Sequence, residues 1–273
     1  MLQFLPTDTS LDFLSYFLYI FLMAEYSTIY SDSEIVVLNK KSGWLTAADS
    51  YDTESPRLDE AAKKEFRELF AVHRIDTDAS GLVLYARNKK TQEALLQQFK
   101  DGKVEQIFHC LVYGRPQWKD LDVELKLLPD GDQRHRTTVN KRIGKFSKTE
   151  FKLLCSTGPY SWIEAIPRTN RTHQIRVHLQ QNGVNIVCDP LYSGNQKPVR
   201  LSDIKKRWNG DTEEERPLLK RLALHAWSIS FEHPADGKRL TFTAPYQKDM
   251  DATRNQLAKI FGEDPLEKYQ DKQ

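Results

Sequence analysis

Short apolar runs separated by polar turns follow one another along the chain from residue 35 onward. Ile35–Leu38 is rich in β-branched residues and leads into Asn39–Gly43, whose composition is typical of a turn. His233–Gly237 separates two later runs in the same way and predicts a hairpin. The runs that predict strands are 35–38, 81–86, 107–113, 149–154, 162–167, 222–231 and 239–242.

Three segments have the spacing or composition of helices. Leu95 and Phe99 lie four residues apart in Thr91–Lys100, which predicts a helix there. The other two predicted helices are the charged segment 58–70 and the segment 172–181. Because strands and helices do not alternate regularly, the pattern favours an α+β fold, with a largely antiparallel mixed sheet and flanking helices.

No linker rich in Pro, Gly or Ser divides the chain, so we expect one domain over residues 23–262, followed by a tail over 263–273. The polar, charged segment 197–220 predicts a surface insertion. Leu11–Ala24 is strongly apolar, but it is short for a membrane span and lacks the basic start of a secretory signal. We therefore expect residues 1–22 to be a misassigned extension.

Composition narrows the class of protein. The 273 residues are 39% hydrophobic and carry 40 Lys and Arg against 38 Asp and Glu, as in an ordinary globular protein. Cys110, Cys155 and Cys188 are widely spaced and odd in number, which argues against a disulfide framework and favours a reducing cytoplasm. The seven histidines show no ligand spacing, so we expect no metal.

Arg74, Asp76 and Asp78 crowd together just before the predicted strand 81–86. Alternate residues of an extended segment project to the same side, so Arg74 and Asp76 can share one wall of a cleft. A carboxylate beside a fixed positive charge stays ionised, which suits a nucleophile or a base. The same residues are common in turns, where they satisfy backbone amides, and the spacing alone does not separate these interpretations.

A second polar cluster lies at the start of the predicted helix 172–181. Its members are Arg168, Arg171, Thr172, His173, Arg176 and His178. Arginines around a helix N-terminus form an attractive site for phosphate or carboxylate, and a solvated helix face is the alternative. The chain has no G-x-S-x-G, G-x-x-x-x-G-K, G-x-G-x-x-G or H-E-x-x-H motif, so the signatures of common hydrolases, nucleotidases, dehydrogenases and zinc proteases are missing.

The two clusters lie in long blocks, HRIDTDASGLVLYARN and PRTNRTHQIRVHLQQNGVNIVCDPLYSG. These blocks resemble HRLD-x-x-TSGLLLLA and TGRTHQIRVHL followed by G-x-P-I-x-G-D-x-x-Y-G, motifs of the RluA-type pseudouridine synthases, which isomerise uridine in structured RNA. Three further blocks are similar to motifs of that family in the same order, namely LNKKSGWLT, GKFSKTEFKLL and LALHAWSISFEHPADGKRLTFTAPY. The resemblance extends from about Ile35 to about Tyr246.

The resemblance implies a pseudouridine synthase fold with a central catalytic cleft. It further implies that Asp76 is the catalytic aspartate, that Arg176 pairs with it, and that Arg74 helps to displace the target nucleotide from its stack. Asp76 would act as nucleophile or as base, and neither route needs a metal or an organic cofactor. The other residues expected to contact the substrate are His73, Phe108, Arg171, Thr172, His173 and Gln174.

Two positions depart from the family pattern. Where the family has K-x-Y, this chain has Gln106-Ile107-Phe108, so a ring that can stack on uracil is kept and the phenol oxygen is lost. Asn170 replaces a glycine of TGRTHQ, and we expect it to keep a left-handed turn. A catalytically degenerate RNA-binding protein on the same scaffold therefore stays as an alternative. A retaining-type glycosidase is a third interpretation, which would need Asp78 as its second carboxylate.

The segment Gln133–Thr149 contains no acidic residue and predicts either a solvated hairpin or a contact with a polyanion. With the basic residues of the insertion, it provides the expected RNA contacts. These are Arg134, Arg136, Lys141, Arg142, Lys145, Lys205, Lys206 and Arg207. We expect a monomer that acts on structured ribosomal or transfer RNA in the cytoplasm and does not associate with a membrane.

Overall fold

The computed structural model describes residues 25–49, 52–194 and 197–270, so the expectation for residues 1–22 lies outside the described part. Eleven strands in these ranges form one sheet. The strands are β1 (Tyr26–Ser31), β2 (Ile35–Lys40), β3 (Phe70–Ala71), β4 (Ser80–Ala86), β5 (Glu105–Tyr113), β6 (Asp120–Leu128), β7 (Thr138–Val139), β8 (Lys145–Thr157), β9 (Tyr160–Pro167), β10 (Leu224–Glu232) and β11 (Arg239–Thr243). The helices are α1 (Leu58–Phe66), α2 (Lys89–Lys100), α3 (Gln174–Gln181), α4 (Leu201–Ile204), α5 (Lys248–Phe261) and α6 (Glu267–Gln270).

The sheet has the order β1-β2-β4-β10-β5-β9-β8-β6-β7, and β3 and β11 pair with β4 and β10 respectively. The pairing of β4 with β10 is parallel, and the other pairings are antiparallel. The predicted α+β architecture with a largely antiparallel mixed sheet is therefore confirmed. None of the helices in the described ranges combines the length and the apolar character that crossing a membrane requires.

Strands β2 and β4 are buried along their whole length, because apolar clusters cover both faces of the sheet. On one face Val37 and Leu84 pack against Leu95 of α2. The cluster on the other face includes Leu58 of α1 and Met250 of α5. Successive residues of a strand project to opposite faces, so continuous apolar runs such as IVVL and LVLY supply both clusters.

The parallel pairing brings the backbones of β4 and β10 together at Gly81. This residue has φ of +110°, and a Cβ at its position would lie 2.3 Å from the carbonyl oxygen of Ala226. Any side chain would therefore collide with the β10 backbone, so glycine is required here. The contact fixes the start of β4, and with it the end of the preceding loop, residues 72–79.

Two long elements were not predicted from the sequence. Strand β6 alternates exposed residues with Val123 and Leu127, which are buried. Helix α5 buries Met250, Thr253 and Leu257 at helical spacing and ends at a glycine. Each pattern has the periodicity of the element that forms, so a period-2 signal was present in the β6 segment and a period-3.6 signal in the α5 segment.

The segment after Gly262 was expected to be a tail, and the structure corrects this. The Tyr269 hydroxyl makes hydrogen bonds to His109 Nε2, at 3.1 Å, and to Glu164. The Tyr269 ring also lies against Trp227, with a centroid distance of 4.1 Å. The fold therefore continues beyond residue 262 through α6.

Segment 197–220 was expected to be an irregular insertion, yet it contains the short helix α4. Its two ends pair with each other, since Val199 N donates to Leu219 O at 2.8 Å and both side chains are buried. The Ser202 amide donates to Glu215 at 2.9 Å and closes the loop further out. The segment is thus a polar loop with an apolar base set into the core.

Candidate active site

A cleft of about 430 Å³ opens where three parts of the chain meet. The loop between β3 and β4 contributes Arg74 and Asp76 to the first wall, and Phe108 of β5 contributes to the second. The segment between β9 and α3 forms the third wall, with Arg171 and His173 among its residues. The two polar clusters that are far apart in the sequence therefore face the same cleft.

The turn after β2 holds the Asp76 loop in place. Lys40 Nζ donates to Thr77 O at 3.0 Å and to Ala79 O at 2.7 Å. Gly43 N donates to Thr77 O at 2.8 Å, and Ala79 N donates to Asp76 O at 3.1 Å. Because Thr77 O and Ala79 O are satisfied by partners on β2 and its turn, and Asp76 O by Ala79 N, the position of Asp76 is fixed relative to the sheet.

Lys40 was not anticipated as part of the site. Its side chain is buried, and two more carbonyl oxygens, those of Lys41 and Trp44, accept hydrogen bonds from Nζ at 3.1 and 2.7 Å. Burial lowers the pKa of Lys40 to about 7, and the negative charges of Asp76 and Asp78 oppose this shift. Carbonyl oxygens on all sides favour the ammonium form, which has three hydrogens to donate. We therefore assign a positive charge to Lys40 at neutral pH.

Arg176 connects Asp76 to a second carboxylate. Its Nη1 donates to Asp76 Oδ2 at 3.1 Å, while Nε and Nη2 donate to the two oxygens of Asp189 at 2.8 and 2.7 Å. The side chains of Arg176 and Asp189 are both 1% exposed, whereas that of Asp76 is 20% exposed. A bidentate pair fixes the plane of a guanidinium. Asp189 therefore sets the orientation in which Arg176 meets Asp76.

Tyr192 completes this group from the other side. The guanidinium carbon of Arg176 lies 5.0 Å from the centroid of the Tyr192 ring, a cation–π contact. The Tyr192 hydroxyl lies 3.0 Å from His173 Nδ1, and the backbone amide of Tyr192 donates to Asp189 Oδ1 at 3.1 Å. Neither Asp189 nor Tyr192 was singled out from the sequence. The signal that could have found both is the CDPLYSG segment, which resembles G-D-x-x-Y-G.

Asp76 is ionised at neutral pH. Burial would raise its pKa, but the positive charges of His173, Arg176 and Lys40 outweigh that effect, and the pKa of Asp76 is lowered. Burial lowers the pKa of His173 itself, so Arg176 is the main charge that acts at neutral pH. Burial also disfavours charged Arg176, yet its hydrogen bonds to Asp189 and the charge of Asp76 raise its pKa. The result is a carboxylate held in a partly dehydrated cleft.

Exposed cations lie at the mouth of the cleft. Arg74 is 64% exposed, and it donates to Asp49 and to Thr172 Oγ1, both at 3.1 Å. Arg171 Nε donates to Phe146 O at 3.1 Å. Each guanidinium has five N–H groups, so most of the donors of Arg74 and Arg171 stay available for a ligand such as phosphate.

Comparison with known proteins decides the family. Residues 34–181 match the model of the RNA pseudouridylate synthase family, which is more than half of the chain. The chain belongs to this family. It is 32% identical over 215 residues to the dual-specificity RNA pseudouridine synthase RluA of Vibrio parahaemolyticus, covering 76% of this chain and 77% of that protein. It is 30% identical over 234 residues to ribosomal large subunit pseudouridine synthase D of Neisseria meningitidis serogroup B, covering 81% of this chain and spanning 58% of that protein.

Two solved human structures share the fold of this family member. RNA pseudouridylate synthase domain containing 4 has a TM-score of 0.65 at 20% identity, covering 85% of this chain and 92% of the other. RNA pseudouridylate synthase domain containing 1 has a TM-score of 0.61 at 22% identity, covering 83% and 86% respectively. The expected pseudouridine synthase fold is therefore confirmed.

Two residues expected to contact the substrate have structural partners instead. His73 is absent from the cleft lining, accepts a hydrogen bond from Leu84 N at 2.9 Å, and stacks on Phe99 of α2. His73 and Arg74 are neighbours in an extended segment, so their side chains project to opposite sides, and His73 points away from the cleft. Gln174 does line the cleft, but its Oε1 accepts from Arg171 N at 3.1 Å and its Nε2 donates to β8 at 2.9 Å. Its amide therefore supports the cleft wall.

The left-handed turn before α3 lies at His173 and not at Asn170. His173 has φ of +54°, whereas Asn170 is not among the residues with positive φ. Asparagine in place of the family glycine is therefore tolerated because its backbone needs no special freedom. His173 is the N-cap residue of α3 and has the αL conformation, and its ring lines the cleft and lies against Tyr192.

The basic residues expected to contact RNA fall into two groups. Arg134 and Arg136 make hydrogen bonds within the protein, since Arg134 donates to Pro190 O at 3.3 Å and Arg136 donates to Asp132 at 2.7 Å. The second group consists of exposed residues in the β7–β8 connection, at the start of β8 and in segment 197–220. These exposed residues are Lys141, Arg142, Lys145, Lys205, Lys206 and Arg207.

Asp78 is not part of the cleft. It lines a separate surface depression together with Arg221 and Leu222. Asp78 therefore does not face Asp76 across the cleft as the second carboxylate of a retaining glycosidase would. Within residues 25–49, 52–194 and 197–270, no three His, Cys, Asp or Glu side chains converge as metal ligands would.

Proposed function

We propose that this protein converts uridine to pseudouridine in RNA, with Asp76 as the catalytic carboxylate. One observation carries the proposal. Asp76 faces an open cleft as an anion, while the buried Arg176, oriented by Asp189, donates a hydrogen bond to it. Membership of the RNA pseudouridylate synthase family makes this the reaction for which such a carboxylate is expected.

The reaction breaks the bond between N1 of uracil and C1′ of ribose and makes a bond between C5 and C1′, with loss of the C5 proton and gain of a proton at N1. A carboxylate can start it as a nucleophile at C1′ or as a base on the sugar. Both routes need an anion that is not fully hydrated. The lowered pKa of Asp76 and its 20% exposure meet that requirement.

The positions of Phe108 and Arg74 support a role for both residues in base flipping. Phe108 lines the cleft with only 7% of its surface exposed, so its ring can stack on a flipped uracil. Arg74 stands at the mouth with a long, exposed side chain that can fill the gap left in the RNA stack.

We propose that the exposed cations of the β7–β8 connection and of segment 197–220 hold the RNA backbone. Ile143 and Phe146, which are 64% and 51% exposed, give the first of these surfaces an apolar component as well. The names of the relatives make ribosomal RNA the first substrate to test and transfer RNA the second. We further propose that the protein acts as a monomer in the cytoplasm.

The proposal is tested by incubating the protein with transcribed ribosomal and transfer RNA, digesting the RNA and separating the nucleosides. We expect pseudouridine to appear in the amount by which uridine decreases, in one of the two RNA classes. RNA that binds tightly and gains no pseudouridine would instead identify a binding protein. Phe108 in place of the family tyrosine is the observation that favours this second candidate.

A further inference from the structure

The carboxamide of Gln106 lies between the buried ring of His73 and the cleft. His73 Nε2 accepts a hydrogen bond from Leu84 N at 2.9 Å. Because a backbone N–H can only donate, Nε2 carries no proton, and the single proton of the neutral imidazole is on Nδ1. Burial lowers the pKa of His73 to about 4, which agrees with a neutral ring.

His73 Nδ1 is therefore a donor, and it lies 3.2 Å from the Gln106 carboxamide. Of the two carboxamide atoms, only Oε1 can accept that hydrogen, so Oε1 faces His73. The NH₂ group of Gln106 then occupies the other position, on a residue that lines the cleft. Within the described part of the chain, the contact with His73 is the side-chain hydrogen bond that this carboxamide makes. Gln106 thus places an amide donor in the wall of the cleft.

Gln106 and Phe108 project from the same face of β5, because they are two residues apart on one strand. Both line the cleft. A base that lies flat on the Phe108 ring would therefore present one edge to the Gln106 NH₂ group.

We propose that Gln106 determines specificity by donating a hydrogen bond to O4 of the flipped uracil, an inference that rests on the proposed function. Cytosine has an amino group in place of O4, so it would place two donors face to face. A site with a committed donor rejects a base that lacks the matching acceptor, because one buried polar group is left unpaired.

The test compares the wild type with Gln106→Glu on two RNAs that carry uridine or 4-thiouridine at the target position. Glutamate keeps an acceptor for His73 Nδ1–H and nearly the same shape, but it has no donor for the cleft. We expect single-turnover product formation from uridine to fall about 10- to 100-fold, with RNA affinity unchanged. Sulfur is a weak hydrogen-bond acceptor, so we expect the wild type to form product about 10-fold more slowly from 4-thiouridine than from uridine. The variant, which has no donor for this position, should form product from the two RNAs at the same rate.

The second substrate separates hydrogen bonding from the added negative charge of glutamate. A charge effect on Asp76 would slow the variant equally with both RNAs, and the 4-thio penalty would then persist in it. That result, or a variant within twofold of the wild type on uridine, overturns the role of Gln106. A wild type that makes no product from uridine overturns the proposed function instead, and this inference with it. If the variant does not fold, a wild type that converts 4-thiouridine as fast as uridine still overturns the role of Gln106.

Discussion

Replacing Asp189 by asparagine removes the group that orients Arg176. Asp189 Oδ1 accepts hydrogen bonds from Arg176 Nη2 and from two backbone amides, and Oδ2 accepts from Arg176 Nε at 2.8 Å. An asparagine that keeps its oxygen at the place of Asp189 Oδ1 must put its NH₂ group at the place of Oδ2, facing Arg176 Nε. Two donors then face each other in a fully buried site, and the charge of Arg176 keeps only Asp76 as an ionic partner.

The cost follows from burial. Breaking a buried ion pair by changing one partner costs about 3–5 kcal/mol, because the other charge is left without compensation. In a chain of this size each kcal/mol lowers Tm by roughly 2–4 °C, so the Asp189→Asn variant should melt roughly 6–20 °C below the wild type. A shift of the guanidinium also displaces Asp76, and a misplacement of about 1 Å costs about 100-fold in rate.

The matched control is Glu150→Gln, which makes the same chemical change opposite another bidentate arginine. Arg168 donates to Glu150 at 2.9 and 2.6 Å, but the two side chains are 42% and 32% exposed. Exposed pairs contribute about 1 kcal/mol or less, so this variant should melt within a few degrees of the wild type and keep its activity. Thermal melting by circular dichroism and single-turnover pseudouridine formation at 20 °C measure both effects. Equal melting shifts in the two variants, or full activity in Asp189→Asn, would refute the reasoning.

Three further predictions follow from the site. Lys40→Met should lower activity at least about 10-fold, because several loop carbonyls lose their donor, whereas Lys41→Met should not; equal activities would contradict the bracing role. Phe108→Ala should lower activity about 100-fold through lost stacking, while Phe108→Tyr should stay within about threefold of the wild type in the same rate assay. Charge reversal at Lys141 and Arg142 should weaken RNA binding about 10-fold and flatten its dependence on salt, as filter binding over a salt series would show; unchanged affinity would make this a solvated turn.

Elements whose apolar residues form a continuous run or recur at regular spacing were predicted from the sequence, because burial itself produces those patterns. The runs at 35–38 and 81–86 form β2 and β4, which are buried on both faces. Strand β6 differs from these two, because exposed residues alternate with partly or fully buried ones along it, and this signal was available in the sequence. Helix α5 has the required spacing as well. The local pattern of apolar and polar residues is therefore sufficient to predict most of the secondary structure of this chain.

The candidate site was less accessible to sequence reasoning, because it depends on which charges become buried. Nothing in the spacing of Lys40 shows that it enters the core and binds loop carbonyls, whereas the resemblance of CDPLYSG to a family motif could have drawn attention to Asp189. Lys40 meets carbonyls 37 and 39 residues further along the chain, so the pairing of β2 with β4 brings these groups together, while Asp189 follows Arg176 by only 13 residues. The direction of His73, by contrast, follows from alternation along the segment that contains Arg74.

The central claim is that Asp76 is the catalytic carboxylate while Asp78 is outside the chemistry. RNA made with uridine tritiated at C5 tests it directly, because the C5 hydrogen is released when C5 bonds to C1′. Asp76→Asn and Asp78→Asn are compared with the wild type in single-turnover release, with RNA affinity measured in parallel. We predict no release by Asp76→Asn at unchanged RNA affinity, and release within about 10-fold of the wild-type rate by Asp78→Asn. Tritium release by Asp76→Asn at the wild-type rate would contradict the account.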